Sequence, residues 1–146
     1  MSAPPIEAHT AALLTRLATT GLPVGDARKP DDAGWQGTPG ASSFLTYLVL
    51  YPVDVLRAGP DAALDDNYRA PHLTYQVTSV GQDRRAAQVG ADLAATCLTD
   101  GTPLGIPGWS TERIRHDSSA GVTRDEDVNP PLYYAIDRYL LEVSTP

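Results

Sequence analysis

Cysteine is nearly absent from this chain: Cys97 stands alone among 146 residues, so neither an intrachain disulfide nor a thiolate metal cage can be built from one copy. Its helical setting beside Leu93, Ala94 and Leu98 predicts a small buried apolar residue. Lysine is equally scarce. Lys29 is the only one among eleven basic residues, which face eighteen acidic ones for a formal charge of -7. With a pI near 4.7, the chain lacks the clustered cations that neutralise phosphates, which argues against specific nucleic-acid binding as its primary role.

Long hydrophobic runs are missing too. Nothing approaches the ~20 apolar residues of a membrane span, and the opening Met1 to His9 has neither the basic nor the apolar region of a secretion leader. The expectation is a protein that folds in a reducing cytoplasm without contacting a membrane. His9, His72 and His116 show no ligand spacing. Asp65-Asp66 and Asp125-Glu126-Asp127 lack the alternating oxygens and central glycine of a calcium loop and read as solvated acidic turns. Gly101, Gly105 and Gly108 alternate with prolines and open no helix, so they form no phosphate-binding loop. Ser110, Ser118 and Ser119 lie near His116 and Asp117, yet no nucleophile elbow surrounds them. No metal, cofactor or catalytic residue is expected.

What is present is ordinary globular material for one domain over residues 1–146, 42% hydrophobic and 20% charged. Ile6 to Thr20 carries Ile6, Leu13, Leu14 and Leu17 on one stripe, with Glu7 near its start and Gly21 just beyond its end, and predicts an amphipathic helix. Gly21 to Ser43 is dense in Gly, Pro and Asp and reads as a long surface loop with Trp35 as an anchor. Phe44 to Val55 predicts a strand covered on both faces, with Pro52 marking a bulge or an edge. Arg57 to Pro71 is a polar connection.

Leu73 to Gly81 is the most informative stretch. Leu73, Tyr75 and Val77 alternate with Thr74, Gln76 and Thr78, giving one apolar face and one of uncharged hydrogen-bonding groups. Gly81 supplies a sharp turn into a helix over Gln82 to Thr99, with Asp83 favourably placed in the first turn. Arg84-Arg85 at that helix start oppose the dipole and are a candidate subunit contact. Thr111 to His116 predicts a short strand, Ser118 to Pro131 a polar excursion, and Leu132 to Val143 a long last strand with apolar or aromatic residues on both faces, interrupted by Asp137 on one and Arg138 on the other. Arg113, Arg115 and Arg138 are expected to pair with Asp137 or Glu112 across two neighbouring strands. The fold class is therefore α/β in the α+β sense: a mixed, mostly antiparallel sheet of about four strands packed with two helices, in the order helix, strand, strand, helix, strand, strand.

Five features, taken in order, carry a family resemblance. They are the amphipathic N-terminal helix; Gly21-Leu-Pro-Val-Gly-Asp26; the strand ending Val49-Leu-Tyr-Pro52; Tyr75-Gln-Val-Thr-Ser-Val-Gly81 followed by Arg84, Arg85 and Ala86-Ala-Gln88; and Arg124-Asp125 ahead of Pro130-Pro-Leu-Tyr-Tyr-Ala-Ile-Asp-Arg-Tyr139. With these, nearly the whole chain resembles the tail terminator proteins of long-tailed, siphovirus-type bacteriophages, especially those of actinobacteria. The resemblance implies a structural virion protein at the head-proximal end of the tail. Its subunits would form a homohexameric ring that caps the tail tube, ends its elongation, and offers a surface to head-tail connector or neck proteins, with the genome passing through the ring. Candidate interface residues are Gln76, Arg84, Arg85, Tyr133, Tyr134, Arg138 and Tyr139. A neck or head-completion connector is the alternative in the same structural class. A small α/β enzyme or ligand-binding domain is the alternative of another class.

Overall fold

A computed structural model describes residues 4–56 and 72–144. Its elements are α1 (Ile6–Ala18), β1 (Val24–Asp26), β2 (Gly34–Trp35), β3 (Phe44–Leu45), β4 (Tyr47–Leu56), β5 (His72–Gly81), α2 (Arg84–Leu98), β6 (Ser110–Asp125) and β7 (Leu132–Ser144). Five strands form one sheet in the order β1-β4-β5-β7-β6. Only β1 runs parallel to its neighbour; the remaining pairs are antiparallel. The class matches the sequence expectation, and the sheet holds one strand more than the four expected. The Arg57 to Pro71 connection lies outside the described residues.

Both helices lie on the same side of the sheet. Alternation then sends Leu73, Tyr75 and Val77 of β5 and Tyr139, Leu141 and Val143 of β7 inward, where they pack with Leu13 and Leu17 of α1 and Ala94 and Leu98 of α2. α1 reaches the sheet through a stripe that includes His9 and Thr10 as well as the two leucines, while Leu14 is only half-buried. α2 buries Ala87, Gly90, Ala91, Ala94 and Leu98, a face of mostly small side chains that lets the helix axis sit close to the strands. A β-carbon added at Gly90 would run into the Ser79 hydroxyl of β5.

The turn between β5 and α2 is made by contact rather than by unusual backbone angles. Gly81 is not among the glycines at positive φ, but a side chain there would meet the Ala87 amide nitrogen at 2.5 Å and the Ala86 β-carbon at 2.8 Å. Asp83 is the N-cap, its carboxylate accepting the Ala86 N–H at 2.7 Å, so the helix begins at Arg84.

Two sequence expectations are corrected. First, Gly21 to Ser43 is more than a loop: Val24–Asp26 adds a strand parallel to Leu48–Leu50 of β4, and Gly34–Trp35 pairs with Phe44–Leu45 in a small second sheet. Trp35 does serve as an anchor, edge-on to Phe44 at 5.1 Å. Second, β6 continues far beyond His116 to Asp125, through polar residues with no strand pattern of their own. Backbone pairing with β7 imposes the extended conformation there, and three register irregularities absorb the extra residues. Strand order, which the sequence leaves open, does not make β5 and β6 neighbours. The chain crosses from β5 through α2 to the sheet edge, and β7 then returns between them. Pro52 behaves as expected: it lies past the three-residue reach of β1, where β4 has become an edge, and the register shifts between Pro52 and Asp54.

Candidate functional site

With both helices on one side, the opposite face of the sheet is covered only in part by the described residues. At its β4 end the segment between β1 and β4 folds back over it, and Ala33, Tyr47 and Val49 form a second small core with Phe44, Tyr51 and Val80 packed around it. Burial raises the Tyr47 hydroxyl above the usual phenol range, with Tyr51 adding to the shift. Toward β7 this cover ends. There β5 presents Thr74, Gln76 and Thr78, in register with Leu140, Arg138 and Ile136 of β7, all half-buried except Arg138, which is exposed. Tyr134 continues the same face opposite Val80.

The candidate interface residues therefore separate. Gln76, Tyr134 and Arg138 come together on the uncovered face, with Gln76 and Arg138 directly opposite one another. Tyr139 is a correction: it points the other way, is fully buried in the core, and is unavailable to a partner. Its hydroxyl has no hydrogen-bond partner among the described residues, and burial, followed by the nearby Asp137 charge, pushes it well above the usual phenol range. Tyr133 stands opposite Gly81 and Arg124 and is half-buried. Arg84 and Arg85 are exposed at the first turn of α2, away from the uncovered face.

Among the described residues no arginine meets Asp137, and the cross-strand pair that does form is one the sequence reading did not name. Arg115 reaches Glu142 across the strands at 3.7 Å. Asp137, however, is held by a histidine rather than an arginine: the His116 Nε2 lies 2.8 Å from its Oδ1, and the His116 ring meets Tyr139 edge-on at 5.3 Å. Arg138 makes no ion pair among the described residues. The His116–Asp137 pair links β6 to β7 across the register irregularity at His116/Ser118. Ser119 accepts a hydrogen bond from the Gly121 amide, and among the described residues no serine hydroxyl bonds to the His116 imidazole. Among the described residues, no three His, Cys, Asp or Glu side chains converge on a metal position, and no helix is long and apolar enough to cross a membrane.

Two features escaped the sequence reading. His9 is fully buried, its Nδ1 2.7 Å from the Pro5 carbonyl and its ring edge-on to Trp109 at 6.4 Å. Burial lowers its pKa below the ordinary 6.5, opposed by the Pro5 contact. Only its position three residues after Ile6 and four before Leu13 pointed to the core. Cys97 is half-buried, not sealed, and its thiol donates to the Arg16 carbonyl at 3.1 Å, tying α2 to α1. The other feature is a groove of about 350 Å³ beside α2, lined by Leu22, Thr46, Arg85, Val89, Gly90 and Leu93 among others.

No family model matches the chain, and no curated protein matches it by sequence. Solved structures do. A chain in the virion of a native gene transfer agent particle superposes with a TM-score of 0.62 at 18% identity, over 92% of each chain. A second solved structure superposes with a TM-score of 0.55 at 16% identity, over 97% of each. At such identities the likeness establishes a shared fold.

Proposed function

We propose that this chain is a structural subunit of a phage-type virion, and within that class a tail terminator: a ring-forming protein that caps the tail tube, ends its elongation and receives the head-side connector. The observation that carries the proposal is the near full-length fold likeness to a chain of a gene transfer agent virion, taken with the tail-terminator resemblance of the sequence. A homohexameric ring needs a heterologous contact between unlike patches of one subunit. An uncovered sheet face on one side and an apolar helix groove on the other are patches of that kind. The tail tube protein and the connector or neck proteins are the further partners. The working position is the head-proximal end of the tail, reached after assembly in the host cytoplasm. The reading needs no catalytic group, cofactor or metal.

Tail length in phage particles depleted of this protein is the test. The terminator reading expects tubes of uncontrolled length that do not join heads. Tails of normal length with only the head junction missing would replace it by the neck-protein reading.

A further inference from the structure

Asp100 is the only aspartate that a glycine follows, and neither Asn67 nor Asn129 precedes one. The Asp100–Gly101 pair lies just past the C-cap of α2, and both residues are exposed. Asp100 Oδ1 accepts the Thr102 N–H at 2.8 Å, which curls the carboxyl back over the peptide bond joining Asp100 to Gly101. Gly101 stands at φ +88°, with nothing within 4 Å of where a β-carbon would be, so the peptide is open on the side that a side chain would cover. Its amide makes no backbone hydrogen bond among the described residues. The same short loop carries a structural tie. Arg16 of α1 donates to the Thr102 carbonyl at 2.7 Å and to the Pro103 carbonyl at 2.9 Å, and Leu104 and Ile106 beyond them are buried in the main core.

We infer that Asp100 is a site of spontaneous isomerisation to isoaspartate. The Gly101 amide nitrogen, giving up its proton, attacks the side-chain carboxyl carbon of Asp100; the carboxyl oxygen leaves as water and a five-membered succinimide closes. Water then reopens the ring. Attack at the former backbone carbonyl leaves the chain running through the side-chain carbonyl, with the backbone carbonyl released as a free carboxylate. One water is lost and one regained, so the mass is unchanged and nothing is oxidised or reduced. The leaving oxygen must be protonated. The Thr102 hydrogen bonds, with Arg16 adding to them, hold the Asp100 carboxyl below the usual carboxylate range, so the reaction runs faster as pH falls toward that range. The product carries one extra main-chain carbon between α2 and the residues that Arg16 holds, and the Thr102 amide loses its acceptor. The new carboxylate is of the class that an S-adenosylmethionine-dependent isoaspartyl methyltransferase takes as methyl acceptor.

The folded full chain, held at physiological temperature for weeks at mildly acidic pH, tests this. Trypsin releases the peptide from Ala86 to Arg113. The expected result is a second form of that peptide with identical mass, which accepts a methyl group from labelled S-adenosylmethionine and shows the extra main-chain carbon at residue 100 on electron-transfer fragmentation. Asp100→Glu, whose ring would have six members, should lose the second form. Asp100→Asn expels ammonia in place of water and needs no acid, so it should convert faster than the wild type at neutral pH. In the aged protein the Thr102 amide should exchange its hydrogen faster. An aged wild type without the second form, one that gains it only in urea, an Asp100→Glu protein that forms it equally, or an Asp100→Asn protein that stays intact would overturn the assignment. Isoaspartate that leaves Thr102 exchange unchanged would overturn its link to the Arg16 tie. None of these outcomes bears on the virion reading, which keeps its own test in tail length.

Discussion

Tyr75 and Tyr139 stand directly opposite one another across β5 and β7, both sealed beneath the helices, yet their hydroxyls are treated differently. The Tyr75 hydroxyl meets the Thr10 hydroxyl at 2.8 Å and reaches the Ile6 carbonyl at 3.3 Å, fastening α1 to the centre of the sheet. The Tyr139 hydroxyl has no partner among the described residues.

Removing each hydroxyl should therefore have unequal effects. Tyr75→Phe is expected to lower stability by about 1 kcal/mol, the net worth of a buried hydrogen bond whose Thr10 partner keeps its own bond to Ile6. Tyr139→Phe should be neutral or stabilising, since it deletes a buried polar atom that nothing satisfies. Urea unfolding of the two variants side by side measures the difference.

Truncation separates core from surface along β7. Tyr139→Ala is expected to cost about 3–5 kcal/mol, as large-to-small changes at aromatic core positions do. It should reduce folding and assembly together. Tyr134→Ala, on the uncovered face, should reduce assembly while the monomer still unfolds cooperatively. Thermal melts compared with sedimentation distinguish the two outcomes.

Gly90→Ala improves local helix propensity and should nonetheless destabilise the protein, by about 1–3 kcal/mol, because the new methyl drives into the Ser79 hydroxyl. Ser79→Ala removes that oxygen, which is itself buried and unpartnered among the described residues. In the double variant the loss should shrink, and a double-mutant cycle in urea reads the coupling. Strict additivity would show that the helix does not press on Ser79.

His9 gives stability a pH dependence of definite sign. Burial depresses its folded pKa below 6.5, so the unfolded chain takes up the proton more readily. Its contribution is complete above the unfolded value and is lost as pH falls through 6.5 toward the folded value. Between about pH 8 and about pH 5 the wild type should lose more stability than His9→Gln. Equal losses in the two proteins would place the titration elsewhere.

Much of this architecture is written in local periodicity. The alternation of Leu73 to Gly81, the helical stripes of Ile6–Ala18 and Arg84–Leu98, and the irregularity at Pro52 each follow from side-chain spacing and backbone chemistry within a few residues. Other features depend on partners distant in sequence. Polar Asp117 to Arg124 becomes strand because β7 offers it a hydrogen-bonding edge, and Val24–Asp26 because Leu48–Leu50 does. The candidate surface is the clearest case. Leu132 to Val143 is apolar on both faces, so its sequence leaves open which parity goes under the helices; packing beside β5 sends Tyr139 inward and Arg138 outward. A strand's period is a local property, but the face it buries is fixed only when register brings it against the rest of the core.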